Sequence, residues 1–142
     1  MSGYLLDTNI ASELIRARPE PRVANWVYAK DEQSLYLSAV SIGELRRGFV
    51  ILPAGKRRTE LEQWFENDLV PRFRGRILPV TFSIADQWGI LDGECQLKGT
   101  PLSTADGMIA ATALEHDLTV VTRNVKDFAG LGVTVFNPWD AA

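Results

Sequence analysis

Five short apolar runs, set between segments of helical period, restrict this chain to few architectures. The runs are Tyr4-Leu5-Leu6, "SLYLSAV" (34–40), "RILPV" (76–80), "LTVVTRN" (118–124) and "VTVFNPW" (133–139). Most are continuous in apolar residues rather than alternating, which suits strands buried on both faces. Between them, apolar residues recur at helical spacing: Ile10, Leu14 and Ala17; Val23, Trp26 and Val27; Leu61, Trp64, Phe65 and Leu69; Ile84, Trp88, Leu91 and Cys95. Strands alternating with helices predict an α/β fold, a single domain over residues 1–142 in which helices cover both faces of a parallel sheet. In such sheets ligands bind beyond the carboxyl ends of the strands, near the point where strand order reverses.

Composition narrows the chemistry. A net charge of −3 provides no global positive field for nucleic acid, leaving local clusters at Arg46-Arg47, Lys56-Arg57-Arg58 and the arginines at 72, 74 and 76. One cysteine excludes an internal disulfide and cysteine-rich zinc sites. A single histidine argues against Ser-His-Asp, Cys-His and histidine–zinc chemistry together. No run approaches the ~18–20 apolar residues of a membrane span. The N-terminus lacks a basic-then-apolar leader, so a cytoplasmic protein is expected.

Carboxylates therefore carry the functional argument. Asp7 follows the first apolar run directly, at a strand's carboxyl end. Glu44, Asp106 and the segment holding Asp127 come at comparable places later in the chain. Several carboxylates at one sheet edge would hold a hard, oxygen-preferring cation such as Mg²⁺ or Mn²⁺. Helix capping competes with that reading. "SIGE" (41–44), "STAD" (103–106) and "SIAD" (83–86) all match the Ser/Thr-x-x-acid box, in which the acid satisfies a free backbone N–H. Asp7 has no such partner, and Thr8 or Asn9 is the better N-cap, which frees Asp7 for other work. Gly107 and the alanines after Asp106 allow close backbone packing that a solvated cap does not need. Past the fourth run, Asn124 can position water through its carbonyl, while Asp127 brings a charge but can equally cap a turn; the two compete.

"LLDTNI", "SAVSIGELRRG", "TADGMIAATA" and "VVTRNVKDF", in this order, resemble the motif series of PIN domains; the ending "VFNPW" and the long insertion helix are similar to the VapC/FitB-type toxin branch. The resemblance covers nearly the whole chain. It implies a three-layer α/β/α PIN-like fold with a mainly parallel five-stranded sheet. It also implies a Mg²⁺- or Mn²⁺-dependent endoribonuclease acting as the toxin of a type II toxin–antitoxin module. Asp7, Glu44 and Asp106 would be the acidic metal-site residues, with the fourth position at Asn124 or Asp127 and with Thr8, Asn9 and Thr122 as polar supports. A homodimer, an inhibitory small DNA-binding antitoxin and a higher assembly with it are further implications. RNA must reach an acidic cleft, so Arg46, Arg47 and Lys56 are the candidate backbone contacts. The competing readings are a catalytically weak protein-binding domain and a PIN-type nuclease of DNA or RNA processing without an antitoxin.

Overall fold

The computed structural model describes residues 3–140. Five parallel strands, β1 (Gly3–Leu6), β2 (Leu35–Ser38), β3 (Ile77–Leu78), β4 (Leu118–Val121) and β5 (Val135–Phe136), form one sheet of order β3-β2-β1-β4-β5. After β1 the chain builds outward through β2 and β3, then returns to the other side of β1 with β4 and β5. Strand order thus reverses between β1 and β4, where α/β sheets open a crevice at their carboxyl edge.

Each strand shows its alternate residues to opposite faces, and both faces are covered. Leu6, Leu35, Leu37 and Val121 join the core under helices α1 (Thr8–Leu14), α2 (Pro21–Ala29), α3 (Ala39–Val50) and α4 (Lys56–Trp64). Leu5, Leu118 and Val120 join the other core, under α6 (Phe82–Lys98) and α7 (Thr104–His116). The result is the expected three layers, with every strand pairing parallel.

Local departures have local causes. The "KRRTELEQWFENDLVPRF" segment is not one uniform helix. It widens at Phe65–Leu69 into a π-type turn, in which the Val70 N–H donates to the Phe65 carbonyl, before α5 (Val70–Arg72). Pro71 has no N–H to give a regular ladder, and the wide turn ends just ahead of it. The two-residue edge strand β3 is tied in by Arg76, only 8% exposed. Its guanidinium donates to the Glu32 and Leu35 carbonyls at 2.6 Å each and to the Glu32 carboxylate at 2.8 Å. Among the described residues no helix is long and apolar enough to cross a membrane.

Candidate active site

The β1–β4 pairing sets Leu6 opposite Val121, and the Asp7 N–H continues that ladder to the Val121 carbonyl at 2.9 Å. Asp7 and Thr122 therefore leave the sheet side by side at the reversal point. Asp7 is 5% exposed. Three donors converge on its carboxylate: the Thr8 N–H at 2.8 Å, the Thr122 hydroxyl at 2.7 Å and the Asn9 amide at 3.3 Å. The first of these makes Asp7 itself the N-cap of α1. The expectation that Thr8 or Asn9 starts the helix is thus incorrect: Asp7 has the extended backbone a cap requires, and its oxygen reaches the first free N–H. Capping and a role at the sheet edge coexist in one carboxylate with two oxygens.

The other acids arrive from separate elements. Glu44 is exposed on α3 and accepts from the Thr8 hydroxyl at 2.6 Å, so Thr8 bridges Asp7 and Glu44. Glu44 closes no capping box, because α3 begins earlier, with the Ser38 hydroxyl accepting from the Val40 N–H. "SIAD" is no box either: Thr81 caps α6. "STAD" does half of what the box requires, the Ser103 hydroxyl accepting from the Asp106 N–H at 3.1 Å.

Charge in this cluster is uncompensated. Burial is the largest influence on Asp7 and pushes its pKa up; the Thr122 and Thr8 hydrogen bonds pull it down, and the nearby Asp106 and Glu44 charges add to the rise. Asp106 is also raised, first by burial, then by Asp127 and Glu44, with Ser103 opposing. Among the described residues no lysine or arginine pairs with Asp7, Glu44, Asp106 or Asp127. Nor does any group of three or more acidic, histidine or cysteine side chains stand close enough there to hold an ion alone. An all-oxygen donor set of like charges, drawn together without closing, fits a hard cation that keeps part of its water shell, as Mg²⁺ does.

Thr122, fully buried, organises this edge. Its one hydroxyl donates to Asp7 and accepts from the Asn9 amide at 3.2 Å and the Asn124 N–H at 3.0 Å. Thr122→Val keeps the shape, removes one of the three donors to Asp7 and leaves the Asn124 N–H without its acceptor. We expect a loss of about 1–3 kcal/mol by denaturant unfolding and a further rise in the Asp7 pKa by NMR titration, with Thr122→Ser near wild type.

Asp106 owes its place to the smallness of its neighbour. A Cβ at Gly107 would meet the Trp88 ring at 2.6 Å, so α7 approaches α6 more closely than any larger residue permits. Gly107→Val is expected to destabilise by about 1–3 kcal/mol through overpacking and to displace Asp106, read as a joint fall in melting temperature and activity.

The polar and basic predictions divide. Asn124 and Asp127 lie in the turn after β4 and line one cavity; Asp127 acts on Asp106 through its charge, whereas Asn124 is joined to the cluster through its backbone, its N–H on Thr122 and its carbonyl accepting from the Asp127 N–H. Arg46, a candidate RNA contact, is engaged within the fold. Its guanidinium pairs with Glu62 at 3.4 Å and Glu66 at 3.0 Å and lies 4.6 Å from the Phe65 ring, pinning α3 to the helix after it. Lys56 is exposed, with Glu60 at 3.9 Å, and Arg47 is exposed one turn beyond Glu44. Arg57, of the Lys56-Arg57-Arg58 cluster, lines a groove together with Thr8 and Glu44. Its helix brings it there across the fold, and no motif signals that approach.

Comparison with known proteins agrees with this architecture. The PIN domain family matches over residues 4–132. The chain is 39% identical over 138 residues to the VapC ribonuclease Y4jK of Sinorhizobium fredii, spanning 97% of this chain and 99% of that protein. It is 41% identical over 135 residues to the toxin FitB of Neisseria gonorrhoeae, spanning 95% and 97%. Among solved structures, FitAB bound to an IR36 DNA fragment superposes with a TM-score of 0.90 at 38% identity, covering 98% of this chain and 97% of that one.

Proposed function

Because the chain belongs to the PIN-domain family, we propose that it is a Mg²⁺- or Mn²⁺-dependent endoribonuclease and the cytoplasmic toxin of a type II toxin–antitoxin pair. The observation that carries this reading is the buried, triply hydrogen-bonded Asp7 at the strand-order reversal, with Asp106 and Glu44 in its field and, among the described residues, no cationic side chain paired with them. The names of its relatives, a VapC ribonuclease and the toxin FitB, support both halves of it. The partners would be a small DNA-binding antitoxin, in line with the DNA-bound FitAB complex, and a second copy of this chain.

Asp7, Asp106 and Glu44 would hold the cation, with Asp127 the nearer candidate for the fourth position. When bound, the cation acidifies an attacking water and offsets charge developing on the phosphate. The chain's own residues do the rest. Thr122, Thr8 and Asn9 fix the Asp7 carboxylate in one orientation, and Thr8 does the same for Glu44. The Ser103 cap fixes the start of α7 and so the position of Asp106. Arg57 and Arg47 lie beside Glu44 and supply positive charge where RNA phosphates must approach carboxylates.

The test is a panel of structured RNAs incubated with antitoxin-free protein in Mn²⁺, Mg²⁺ or EDTA. Cleavage is expected with either cation and none in EDTA. Cleavage of equal rate in EDTA would rule out the cation chemistry. Intact RNA with folded protein in Mn²⁺ would leave a binding domain as the better description.

A further inference from the structure

Beside the acid edge lies a second, differently charged feature. The turn after β4 and the segment after β5 border an open cavity of about 390 Å³ lined by Arg123, Asn124, Val125, Lys126, Asp127, Asn137 and Asp140. That volume falls within the ~300–1,000 Å³ typical of small-ligand sites. Asn124 belongs to this cavity, and its N–H donates at 3.0 Å to the Thr122 hydroxyl that itself donates to Asp7, so the cavity adjoins the acid cluster.

Its cations are uncommitted. Arg16, Arg22, Arg46, Arg58, Arg72 and Arg76 all form ion pairs within the fold. Arg123 and Lys126 form none among the described residues, and both are exposed. The Arg123 guanidinium lies 5.1 Å from the Trp139 ring, itself only 8% exposed, so it is braced on one side by a buried aromatic. The amides differ in the same sense. Asn137 is engaged, its carbonyl accepting from the Trp139 N–H at 2.9 Å and its amide reaching Asp140 at 3.4 Å. Asn124 is held by its backbone on Thr122, and its side chain has no hydrogen-bond partner among the described residues. Val125, 40% exposed, adds an apolar surface.

Uncommitted cations, a braced guanidinium plane, a free amide and an apolar patch together suit one unpaired nucleotide. Cations take phosphate, guanidinium planes stack on bases, and an amide reads a base edge. We propose that this cavity seats the RNA nucleotide adjoining the scissile phosphate, with Arg123 and Lys126 on its phosphate, Arg123 also stacking on its base, and Asn124 setting base preference. Asp127 and Asp140 cancel the formal charge of Arg123 and Lys126, so the cavity offers placed phosphate contacts rather than a general attraction for polyanions. The inference rests on the ribonuclease reading and assigns its substrate contacts.

The test measures binding apart from cleavage. A short labelled single-stranded RNA is titrated, with Mg²⁺ present and at several salt concentrations, into full-length protein carrying Asp106→Asn. Adding Arg123→Ala and Lys126→Ala should weaken binding by about tenfold and lower the log–log salt slope by about 1.4, at ~0.7 per lost phosphate contact. Lys126→Gln alone, which removes no packing, should lower it by about 0.7. Arg74→Ala, in the turn entering β3 at the opposite sheet edge, should change neither. In otherwise wild-type protein, Asn124→Ala should redistribute cleavage among bases. Unchanged affinity and slope in the double variant, with wild-type protein still cleaving RNA, would overturn the cavity assignment alone. Wild-type protein that cleaves no RNA would overturn the ribonuclease reading and this inference with it.

Discussion

Asp7→Asn is expected to leave the protein folded and to lower RNA cleavage by on the order of a thousandfold. Groups that merely orient a metal ligand are typically worth about 10–100-fold, and a carboxylate at the centre of the cluster should exceed them. The substitution changes almost no volume, and its carbonyl can still accept from the Thr8 N–H that caps α1. Its new amide meets trouble on the other side. Thr122 already accepts from the Asn9 amide and the Asn124 N–H, and the Asn9 amide would face a second donor. That mismatch should cost about 1–2 kcal/mol, against which removal of a buried charge is a gain. Single-turnover cleavage in Mn²⁺ beside a thermal melt separates the two effects. A folded variant that cleaves within tenfold of wild type would remove Asp7 from the centre of the mechanism.

The sheet was legible because its signal is local. A run such as "LTVV" is too short and too apolar for an exposed element, and parallel pairing of five such runs follows from the helices between them. The approach of α7 was legible for the same reason, since "GMIAATA" carries its smallness in adjacent letters. What sequence could not resolve was exact helix starts and distant partners. "SIGE" has the letters of a capping box, but α3 begins at Ala39, so Ser41 lies inside the helix and Glu44 is free of capping duty. Cap and ligand are not alternatives for Asp7: one carboxylate oxygen accepts from the Thr8 N–H that starts α1, and the other faces the Thr122 hydroxyl at the sheet edge. Arg46 looked available beside Glu44, yet its partners Glu62 and Glu66 lie 16 and 20 residues away in the chain. Arg123 had the opposite fate: no motif marks it as free, and only the fold shows that it is braced on Trp139 without an ion pair among the described residues.

Asp106→Asn should move activity and stability in opposite directions. Burial and the charges of Asp127 and Glu44 hold the folded Asp106 pKa above its ordinary value of 3.8, outweighing the Ser103 hydrogen bond. Its place in the first turn of α7 favours the charged form, since a helix N-terminus attracts anions by about 0.3–1 kcal/mol; burial and repulsion still win. The sign follows from proton binding: the folded state holds this proton to higher pH than the unfolded chain does. Below the unfolded pKa both states are protonated and there is no penalty. As pH rises from there through the folded pKa, stability falls, then levels off. In EDTA, therefore, wild type and variant should melt alike near pH 3, and the variant should be the more stable at neutral pH. Under the proposed cation chemistry, Mn²⁺ at about 100 times its dissociation constant would return roughly 2.7 kcal/mol to wild type and distinctly less to the variant. Cleavage by the variant should fall at least about 100-fold. Melting curves from pH 3 to 8 with EDTA or Mn²⁺ decide it: a variant less stable than wild type at neutral pH in EDTA would mean that Asp106 sits comfortably as an anion, without the crowding that makes this edge receptive to a cation.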